Sequence, residues 1–470
     1  MRPLYQHVAA ELTQRITEGV YAPGARLPGV RSVARQRGVS VATVVAAYRK
    51  LEDDGHIEAR ARSGFYVRVR RAIHAIEPER EAAASPPRLV TGQEMAMALI
   101  KAANDPGIVQ LGAAVPDPDY LPTQAVARAV ARVARLQRTR AAGYMMPPGA
   151  PELRRQIARR MSETGGGISA DDIVITTGCQ EALSLALRAV TQPGDVVAVE
   201  SPAFYGLLHV LESLELEVLE IPSHPREGMA LDALAFAFER WPVKACVVVP
   251  NFSNPLGFCM PDTHKRVLIG LLAKHGVPLI EDDVYGDLGF DHRRPSTCMG
   301  LAPDADIIHC SSFSKTLAPG LRIGWVAAPQ HRERIEYLKY VSSIASPTVP
   351  QLAVAELLES GRYERYLREV RGKYASAVAR MGDAVMNYFP EGTRVSQPQG
   401  GFVLWVELPG TIDSFELARH ALKQGVSIAP GPLFSASGKF RNFIRLSCAR
   451  VWDERLERAL ITLAGLVQVR

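Results

Sequence analysis

Apolar residues in the first 70 positions recur at the spacing of amphipathic helices, with turn residues between them. The apolar positions of three predicted helices are, in chain order, Leu4, Val8, Leu12 and Ile16, then Val30, Val33 and Ala34, then Val44, Val45, Tyr48 and Leu51. Gly19 ends the first helix, and the turn Gly38-Val39-Ser40 supplies a capping serine to the third, Val41–Asp54. Two short strands, Ile57–Ala61 and Phe65–Val69, follow. This order predicts a winged helix-turn-helix.

From about residue 106 the pattern changes to short apolar runs with helical stretches between most of them. The runs that predict strands are Ile173–Thr177, Val196–Glu200, Ala245–Val249, Leu279–Asp282, Ile307–Ser311 and Ile323–Ala328. Helices between consecutive strands imply a mainly parallel sheet that is covered on both faces, which is an α/β fold. Ligands of such sheets bind beyond the carboxyl ends of the strands, so the polar residues that follow the strands are the candidates for a site.

Charge is unevenly distributed along the 470 residues. Positions 1–71 hold 13 Arg and Lys against 6 Asp and Glu, a net +7, whereas the remainder holds 42 basic and 43 acidic residues, a net −1. A basic module joined to a neutral body is typical of a nucleic-acid-binding head, although a solvated basic helix face would give the same count. Residues 72–88, rich in Ala, Glu and Pro, are typical of a linker.

The rest of the composition narrows the class of protein. No apolar run approaches the roughly 18 residues that span a bilayer, and Glu11 and Gln14 lie where a signal peptide would be apolar. The six cysteines form no CxxC pair and no disulfide-like spacing, which predicts free thiols in a reducing compartment, the cytoplasm. No metal site is predicted.

Lys315 lies in the segment SFSKTLAPGLRIG at 312–324, the most informative stretch for chemistry. A lysine that forms an imine must have a neutral amine and a fixed position. The Ser312 hydroxyl and the Arg322 guanidinium can both reach one phosphate. This layout is typical of a pyridoxal 5′-phosphate (PLP) site, although a surface lysine in a Ser/Gly-rich loop would be the simpler interpretation of the segment alone.

Three further motifs follow predicted strands. Thr177-Gly178-Cys179-Gln180 opens a helix whose free N–H groups suit a phosphate. Asn254 lies in the loop NFSNPLG at 251–257. Tyr285 follows the acidic run Glu281-Asp282-Asp283, which places a carboxylate at a strand end, where it could keep a pyridine nitrogen protonated. Each motif alone is weak, but their shared order and spacing are specific.

The N-terminal motifs LPGVRSVARQRGVSVATVVAAYRKLEDDGHI and RSGFYV resemble the DNA-binding head of the GntR superfamily. The resemblance implies that Arg31, Ser40, Thr43 and the wing-tip Gly64 touch DNA. Many relatives carry an arginine where this chain has Val41, and a bidentate arginine–guanine contact there would contribute about 1–3 kcal/mol of discrimination. DNA recognition would then depend more on Arg31 and on the wing residues Arg60 and Arg62. A vestigial or protein-binding winged helix is the alternative.

Residues 106–470 resemble the fold-type I aminotransferases. The resemblance implies that PLP forms an imine with Lys315, that Asp282 pairs with the pyridinium, and that a substrate carboxylate binds Arg445. The other implied cofactor contacts are Tyr285 and Asn254 to the ring hydroxyl oxygen, Phe204 (with Tyr205 as the alternative) stacked on the ring, Cys179, Gln180, Ser312 and Arg322 to the phosphate, and Tyr144 to the phosphate of a partner subunit. Cys179 departs from the hydroxyl residue that is usual there, and a thiol is a poor donor to a phosphate.

The two halves together resemble the MocR-type regulators of the GntR superfamily. The implied domains are a winged helix-turn-helix at 1–71, a linker at 72–88, an aminotransferase-like large domain with its N-terminal arm at 89–345, and a small α+β domain at 346–470. The implied function is a homodimeric, head-to-tail transcription regulator that binds operator DNA. It would sense PLP, or an amine or amino acid, through an internal aldimine. A true aminotransferase with an incidental head, and a PLP-binding regulator that acts through protein contacts, are the alternatives.

Overall fold

A computed structural model describes residues 4–17, 20–22, 24–53, 56–60, 63–67, 86–89, 97, 101, 105–165, 167–291, 293–410 and 412–468. The chain forms two compact units. The described residues up to 67 belong to the first, and nearly all of those from 86 onward belong to the second. The wing residue Arg62 and most of the predicted linker, residues 72–85, lie outside the described ranges. None of the described helices is long and apolar enough to cross a membrane.

The N-terminal unit is a winged helix-turn-helix, as the apolar pattern predicts. Its elements are α1 (Leu4–Thr17), α2 (Val30–Arg37), α3 (Val41–Asp53), β1 (Ile57–Arg60) and β2 (Gly64–Val67), and the two strands pair antiparallel. Its core includes Leu12, Val44, Tyr48 and Leu51, all at most 1% exposed, and the Tyr48 hydroxyl donates to the Pro28 carbonyl at 2.7 Å. Tyr48 therefore ties α3 to the turn before α2.

The second unit contains an eight-stranded sheet. Its strands are β4 (Ile173–Thr176), β5 (Val196–Ser201), β6 (Glu217–His224), β7 (Gly228–Met229), β8 (Val243–Val248), β9 (Leu279–Asp282), β10 (Ile307–Ser312) and β11 (Gly324–Ala327). They lie in the order β4-β11-β10-β9-β8-β5-β6-β7. The pairs from β10 to β6 are parallel, whereas β11 and β7 run antiparallel to their neighbours. The predicted, mainly parallel sheet is confirmed.

Helices cover both faces of this sheet. Residues along one strand alternate between two apolar clusters, since Val197 and Val199 pack on one side and Val196 and Ala198 on the other. The helices of the unit are α4 (Thr123–Leu136), α5 (Arg138–Ala142), α6 (Pro151–Ser162), α7 (Cys179–Val190), α8 (Tyr205–Ser213), α9 (Leu231–Arg240), α10 (Asp262–His275), α11 (Cys298–Leu301), α12 (Arg332–Ser343), α13 (Thr348–Glu359), α14 (Arg362–Tyr388), α15 (Ser414–Lys423) and α16 (Glu454–Gln468).

The sequence pattern did not predict β6. Its residues EVLEIPSH (217–224) mix glutamates with apolar residues and contain Pro222, which is unusual inside a central strand. Two features account for the strand. It lies near the sheet edge, and its buried Glu220 accepts hydrogen bonds from the Ala436 amide at 2.9 Å and from the Ser437 hydroxyl. These partners lie more than 200 residues away in sequence, so no local pattern reveals them.

The C-terminal part carries a second, smaller sheet of four antiparallel strands. These are β12 (Arg394–Val395), β13 (Val403–Glu407), β15 (Ala429–Pro430) and β16 (Phe443–Ser447), in the order β12-β13-β16-β15. The C-terminal part has the predicted α+β composition, and the domain boundary at residue 346 stays a prediction. A short arm strand, β3 (Val109–Gln110), pairs in parallel with β14 (Val426–Ser427), which fixes the segment after residue 110 against this domain.

Candidate functional site

Nine of the ten predicted cofactor residues line one cavity, of about 150 Å³, beyond the carboxyl ends of β9 and β10 and at the start of α7. These nine are Cys179, Gln180, Phe204, Asn254, Asp282, Tyr285, Ser312, Lys315 and Arg322. They come from segments up to 143 residues apart, and the parallel sheet brings them together because its strands end at the same edge.

Lys315 lies in this cavity just after β10. Its Nζ donates to the Ala114 carbonyl at 2.7 Å. Burial, together with the nearby charge of Arg445, lowers the pKa of Lys315 to about 8, and the carboxylate of Asp282 partly opposes that shift. A much larger fraction of this amine is therefore neutral near pH 7 than of an ordinary lysine, which is the state that a nucleophilic amine requires.

Only the middle residue of the acidic run at 281–283 faces the cavity. Glu281 lies on the opposite face of β9, where it accepts from the Cys298 amide at 2.7 Å and contacts His309 Nδ1 at 3.2 Å. Asp283 forms an ion pair with Arg294. Burial raises the pKa of Asp282 to about 6. A cationic ring nitrogen beside Asp282 would favour its ionised form, as the predicted pairing with a pyridinium requires.

The start of α7 forms one end of the cavity. Gly178 adopts φ 85°, and a Cβ added there would lie 2.4 Å from Arg322 Nη2, so the backbone and the guanidinium are in close approach. The first amides of α7 have no partner within the helix and suit an anion. Arg322 donates to the Thr177 carbonyl at 3.0 Å and to the Ser314 hydroxyl at 3.3 Å. These groups fit a phosphate.

The Cys179 thiol does not point at this phosphate position. It donates to Asp282 Oδ1 at 3.4 Å, which leaves the backbone amide as the phosphate contact of this residue. The side chain of Gln180 is also engaged, because its Nε2 donates to the Gly206 carbonyl at 2.7 Å. The phosphate end therefore relies on main-chain amides, hydroxyls and Arg322.

Sequence reasoning missed Ser314 and the support behind the phosphate loop. Ser314 lines the cavity and accepts from Arg322. Glu181 accepts from the Thr177 amide at 2.6 Å and from the buried Lys339 at 2.8 Å, which fixes the loop before α7. Ser314 could have been predicted, because it is a second serine within the 312–324 motif. The role of Lys339 could not, because Lys339 lies far along the chain from Glu181, which it supports.

Arg445 lies beyond the other end of the cavity and is fully buried in β16. It donates to Asn254 Oδ1 at 3.2 Å and to the Gly112 carbonyl, while its Nε has no hydrogen-bond partner among the described residues. Burial raises the pKa of Tyr285, an effect that the Arg445 charge and a hydrogen bond with Asn254 reduce. An unpartnered buried guanidinium donor fits a carboxylate ligand.

Tyr144, the tenth predicted residue, does not line the cavity. Its side chain is 77% exposed. The contact of Tyr144 with the phosphate of a partner subunit stays a prediction.

The candidate DNA-contacting residues of the first unit differ in whether their side chains are exposed or paired with other side chains of the protein. Arg31 is exposed on α2, and Val41 is 48% exposed at the start of α3. Arg60 is held by Glu58 at 2.8 Å and lies 4.4 Å above the Tyr66 ring. Arg37 of α2 is paired with Glu11 of α1 at 2.9 Å.

The wing tip has a basic neighbour that the motif does not contain. Gly64 adopts φ 111°, and a Cβ added there would lie 3.3 Å from Arg26 Nε. Arg26 is exposed, and its backbone bridges Tyr66 in the wing. Arg26 and Arg60 therefore both lie near the wing tip, as far as the structure describes it.

Ser40 caps α3 and also contacts Thr43. Its Oγ accepts from the Thr43 amide at 3.1 Å and lies 2.8 Å from Thr43 Oγ1. Ser40→Ala is expected to destabilise α3 by about 1 kcal/mol. Hydrogen exchange of the 41–53 amides in the full chain should then accelerate about fivefold. Ser40→Asp, which can still cap, should leave exchange nearly unchanged, and equal acceleration in both variants would contradict the capping role.

Comparisons with known proteins agree with this geometry. Residues 4–67 match the family described as bacterial regulatory proteins, gntR family, and residues 107–463 match aminotransferase class I and II. The chain is 39% identical over 97% of both chains to the uncharacterized HTH-type transcriptional regulator YjiR of Escherichia coli. It is 40% identical over 99% of both chains to YdcR of the same organism, which carries the same description. The chain belongs to the MocR-type regulators of the GntR superfamily.

The body of this MocR-type chain also resembles a solved enzyme. The structure of Pyrococcus horikoshii kynurenine aminotransferase, in complex with PMP and its substrates and products, superposes with a TM-score of 0.75 at 28% identity, over 81% of this chain and 95% of that one. A fold-type I aminotransferase body is therefore shown for this MocR-type chain, and that fold implies dependence on PLP.

Proposed function

We propose that this protein is a DNA-binding transcription regulator that uses PLP to sense the cofactor itself, or an amine or amino acid. The observation that carries the proposal is the convergence of Lys315, Asp282 and a phosphate-binding end in one cavity of a chain whose first 67 residues form a winged helix-turn-helix. When bound, PLP supplies an aldehyde that captures amines reversibly and a ring that withdraws electrons.

The roles of the cavity residues follow from their positions. Lys315 would hold the cofactor covalently, then accept and return a proton at Nζ when an incoming amine displaces it. Asp282 would keep the ring nitrogen protonated, and Phe204 would stack on the ring. Tyr285 and Asn254 would bind the ring hydroxyl oxygen. Main-chain amides of Cys179 and Gln180, the Ser312 hydroxyl and Arg322 would hold the phosphate.

Arg445 would select effectors that carry a carboxylate. Its guanidinium is wholly buried and has one unpartnered Nε among the described residues, so an anionic group that reaches it would form a charge-assisted hydrogen bond in a site of low polarity. An amine that lacks a carboxylate would leave this donor unsatisfied. The expected effectors are therefore amino acids rather than simple amines.

A homodimer is supported by an exposed apolar surface on and after α12. Tyr337, Tyr340, Val341 and Ile344 are each between 47% and 58% exposed, and Tyr144 is 77% exposed. Positions 337, 340 and 341 share one face of α12, and exposed apolar patches mark interaction surfaces. In the head-to-tail homodimer that we propose, Tyr144 of one chain would reach the phosphate end of the other cavity.

Effector binding would change DNA affinity by linkage. An effector shifts DNA affinity only by its differential affinity for two arrangements of the protein, typically about 1–3 kcal/mol, or about 5- to 150-fold. We propose that displacement of Lys315 by an effector amine favours one of these arrangements.

Gel-shift binding to the upstream DNA of its own gene, with and without PLP and across a salt series, tests this function. Specific retardation should change about 5- to 150-fold with PLP. It should also weaken as salt rises, because phosphate contacts release counterions. If neither upstream fragments nor selected random DNA compete better than bulk DNA, the regulator proposal fails.

Covalent capture of PLP should depend on pH through Lys315. Because its pKa is lowered to about 8, the neutral amine should increase about 50-fold between pH 6 and pH 8 and change little above about pH 9. The rate of capture, followed by absorbance after mixing with PLP, should rise over this range and then level off. Arg445→Gln removes a charge that lowers this pKa, so its profile should move to higher pH. A wild-type profile that still rises steeply at pH 10 would contradict the assignment.

A catalytic aminotransferase is the second candidate function. It is favoured by the presence of nine of the ten predicted cofactor residues in one cavity. A turnover screen with amino donors and keto acids decides between the two. Multiple turnovers without specific DNA binding would support an enzyme, whereas specific DNA binding without turnover would support the regulator.

A further inference from the structure

A second cavity, of about 260 Å³, lies between the carboxyl ends of β5 and β6 and strand β13 of the small domain. It shares no described lining residue with the cofactor cavity. Neither the PLP chemistry nor the DNA-binding head accounts for it.

Two sets of apolar residues line this cavity, and we call them the aromatic wall and the proline wall. The aromatic wall consists of Trp405, Phe440 and Phe443. Trp405 and Phe443 lie nearly parallel with ring centroids 5.3 Å apart, and Phe440 meets both rings edge-on. The other wall is formed by proline rings, namely Pro202, Pro222 and Pro225. Flat aromatic and proline surfaces favour a planar, apolar ring system.

Two serine hydroxyl groups among the lining residues have no hydrogen-bond partner among the described residues. They belong to Ser201, which is 4% exposed, and to Ser223. Buried polar groups are normally paired, so these two hydroxyls are available to a ligand. The Glu407 carboxylate, which also lines the cavity, is paired with Arg394 at 3.5 Å, so the cavity favours an uncharged ligand.

The backbone at one edge is strained in a way that positions an aromatic side chain. Phe440 adopts φ 61°, a left-handed conformation that a phenylalanine rarely takes, and the Phe443 amide donates to its carbonyl at 3.0 Å. Such strain persists where the surrounding structure holds it, and it concentrates at functional sites. Here it brings Phe440 to the aromatic wall.

We propose that this cavity binds an uncharged heteroaromatic compound of one or two rings that carries hydrogen-bonding groups. A cavity of about 150 Å³ is enough for benzene, so 260 Å³ has room for a bicyclic ring. The rings pack between the aromatic and proline walls, and the polar group of the ligand pairs with Ser201 or Ser223.

The aromatic wall of the cavity is connected by packing to Arg445, the residue proposed above to bind a carboxylate. Trp405 packs against Phe434 with ring centroids 5.2 Å apart, and the Arg445 guanidinium lies 5.4 Å from the Phe434 ring. The cavity also joins the large-domain sheet to the small domain. Ring contacts therefore run from the cavity to Arg445. Binding itself does not depend on that proposed function.

Calorimetric titration of the PLP-loaded full chain with indole tests the site. Saturable binding is expected, and indene, which has the same shape without the N–H, should bind at least fivefold more weakly. Ser223→Leu, which fills the cavity, should weaken indole binding at least tenfold. Ser213→Leu, an exposed serine on α8 outside the cavity, should leave it unchanged. Absence of saturable binding, or equal binding by the Ser223 variant, overturns the proposal.

Hydrogen exchange of the wild-type protein locates the ligand without relying on a variant. Indole should protect amides in 401–407 and 440–447. Protection confined to 312–324, around the cofactor cavity, would also overturn the proposal. These readouts require no DNA binding, so failure of the regulator function would be seen separately in the gel shift.

Discussion

Lys315→Ala is expected to reduce the PLP that borohydride fixes to the protein to background. Lys315 is the one lysine that lines the described cofactor cavity, and its lowered pKa supplies the neutral amine that carbonyl capture needs. Mass spectrometry of the reduced protein should find the pyridoxyl adduct on the peptide that contains residue 315 in the wild type. The variant should show no adduct above the level of exposed lysines.

Lys423→Ala is the matched control, because Lys423 is an exposed lysine at the end of α15. It should retain full labelling. Strong labelling at another position in Lys315→Ala would contradict the assignment. The same variant also tests the switch, since effector-dependent DNA binding that persists in Lys315→Ala would show that the covalent link is not the sensor.

Arg31→Ala is expected to weaken binding to the specific operator by about 1–3 kcal/mol, or about 5- to 150-fold. Arg31 is exposed on α2, whereas its neighbour Arg37 is held by Glu11. If Arg31 contacts a phosphate, the slope of log affinity against log salt should fall by about 0.9. If it reads a base, discrimination at one position should relax instead. Fluorescence anisotropy across a salt series distinguishes the two outcomes.

Arg49→Ala is the control for loss of charge, because Arg49 is exposed two turns beyond the start of α3 and lowers the charge of the head by the same amount. A loss of affinity as large as that of Arg31→Ala would show that only the overall charge matters. Val41→Arg adds a cation at an exposed position at the start of α3 and should strengthen binding.

Several residues show how far the sequence predicted the site. The strand that ends at Asp282 was identified with its observed bounds, because four consecutive apolar or acidic positions precede a turn. In the segment 312–324, the spacing of the Ser312 hydroxyl, the Lys315 amine and the Arg322 guanidinium was enough to predict that they share a site. The support of the phosphate loop by Lys339, and the position of Arg26 beside the wing tip, depend on contacts between distant segments, which no local pattern encodes.

The classes of element, and the chemical groups available at their ends, can be read from the amino-acid sequence. Apolar periodicity distinguishes helix from strand because side chains repeat every 3.6 residues on one and every two on the other. Which of these groups meet depends on packing. Asp282 faces the cavity and Glu281 faces away, the Glu220 carboxylate pairs with residues 436 and 437, and buried Arg445 keeps one donor without a partner among the described residues. These outcomes depend on burial and on long-range hydrogen bonds, which exist only after distant segments have packed together.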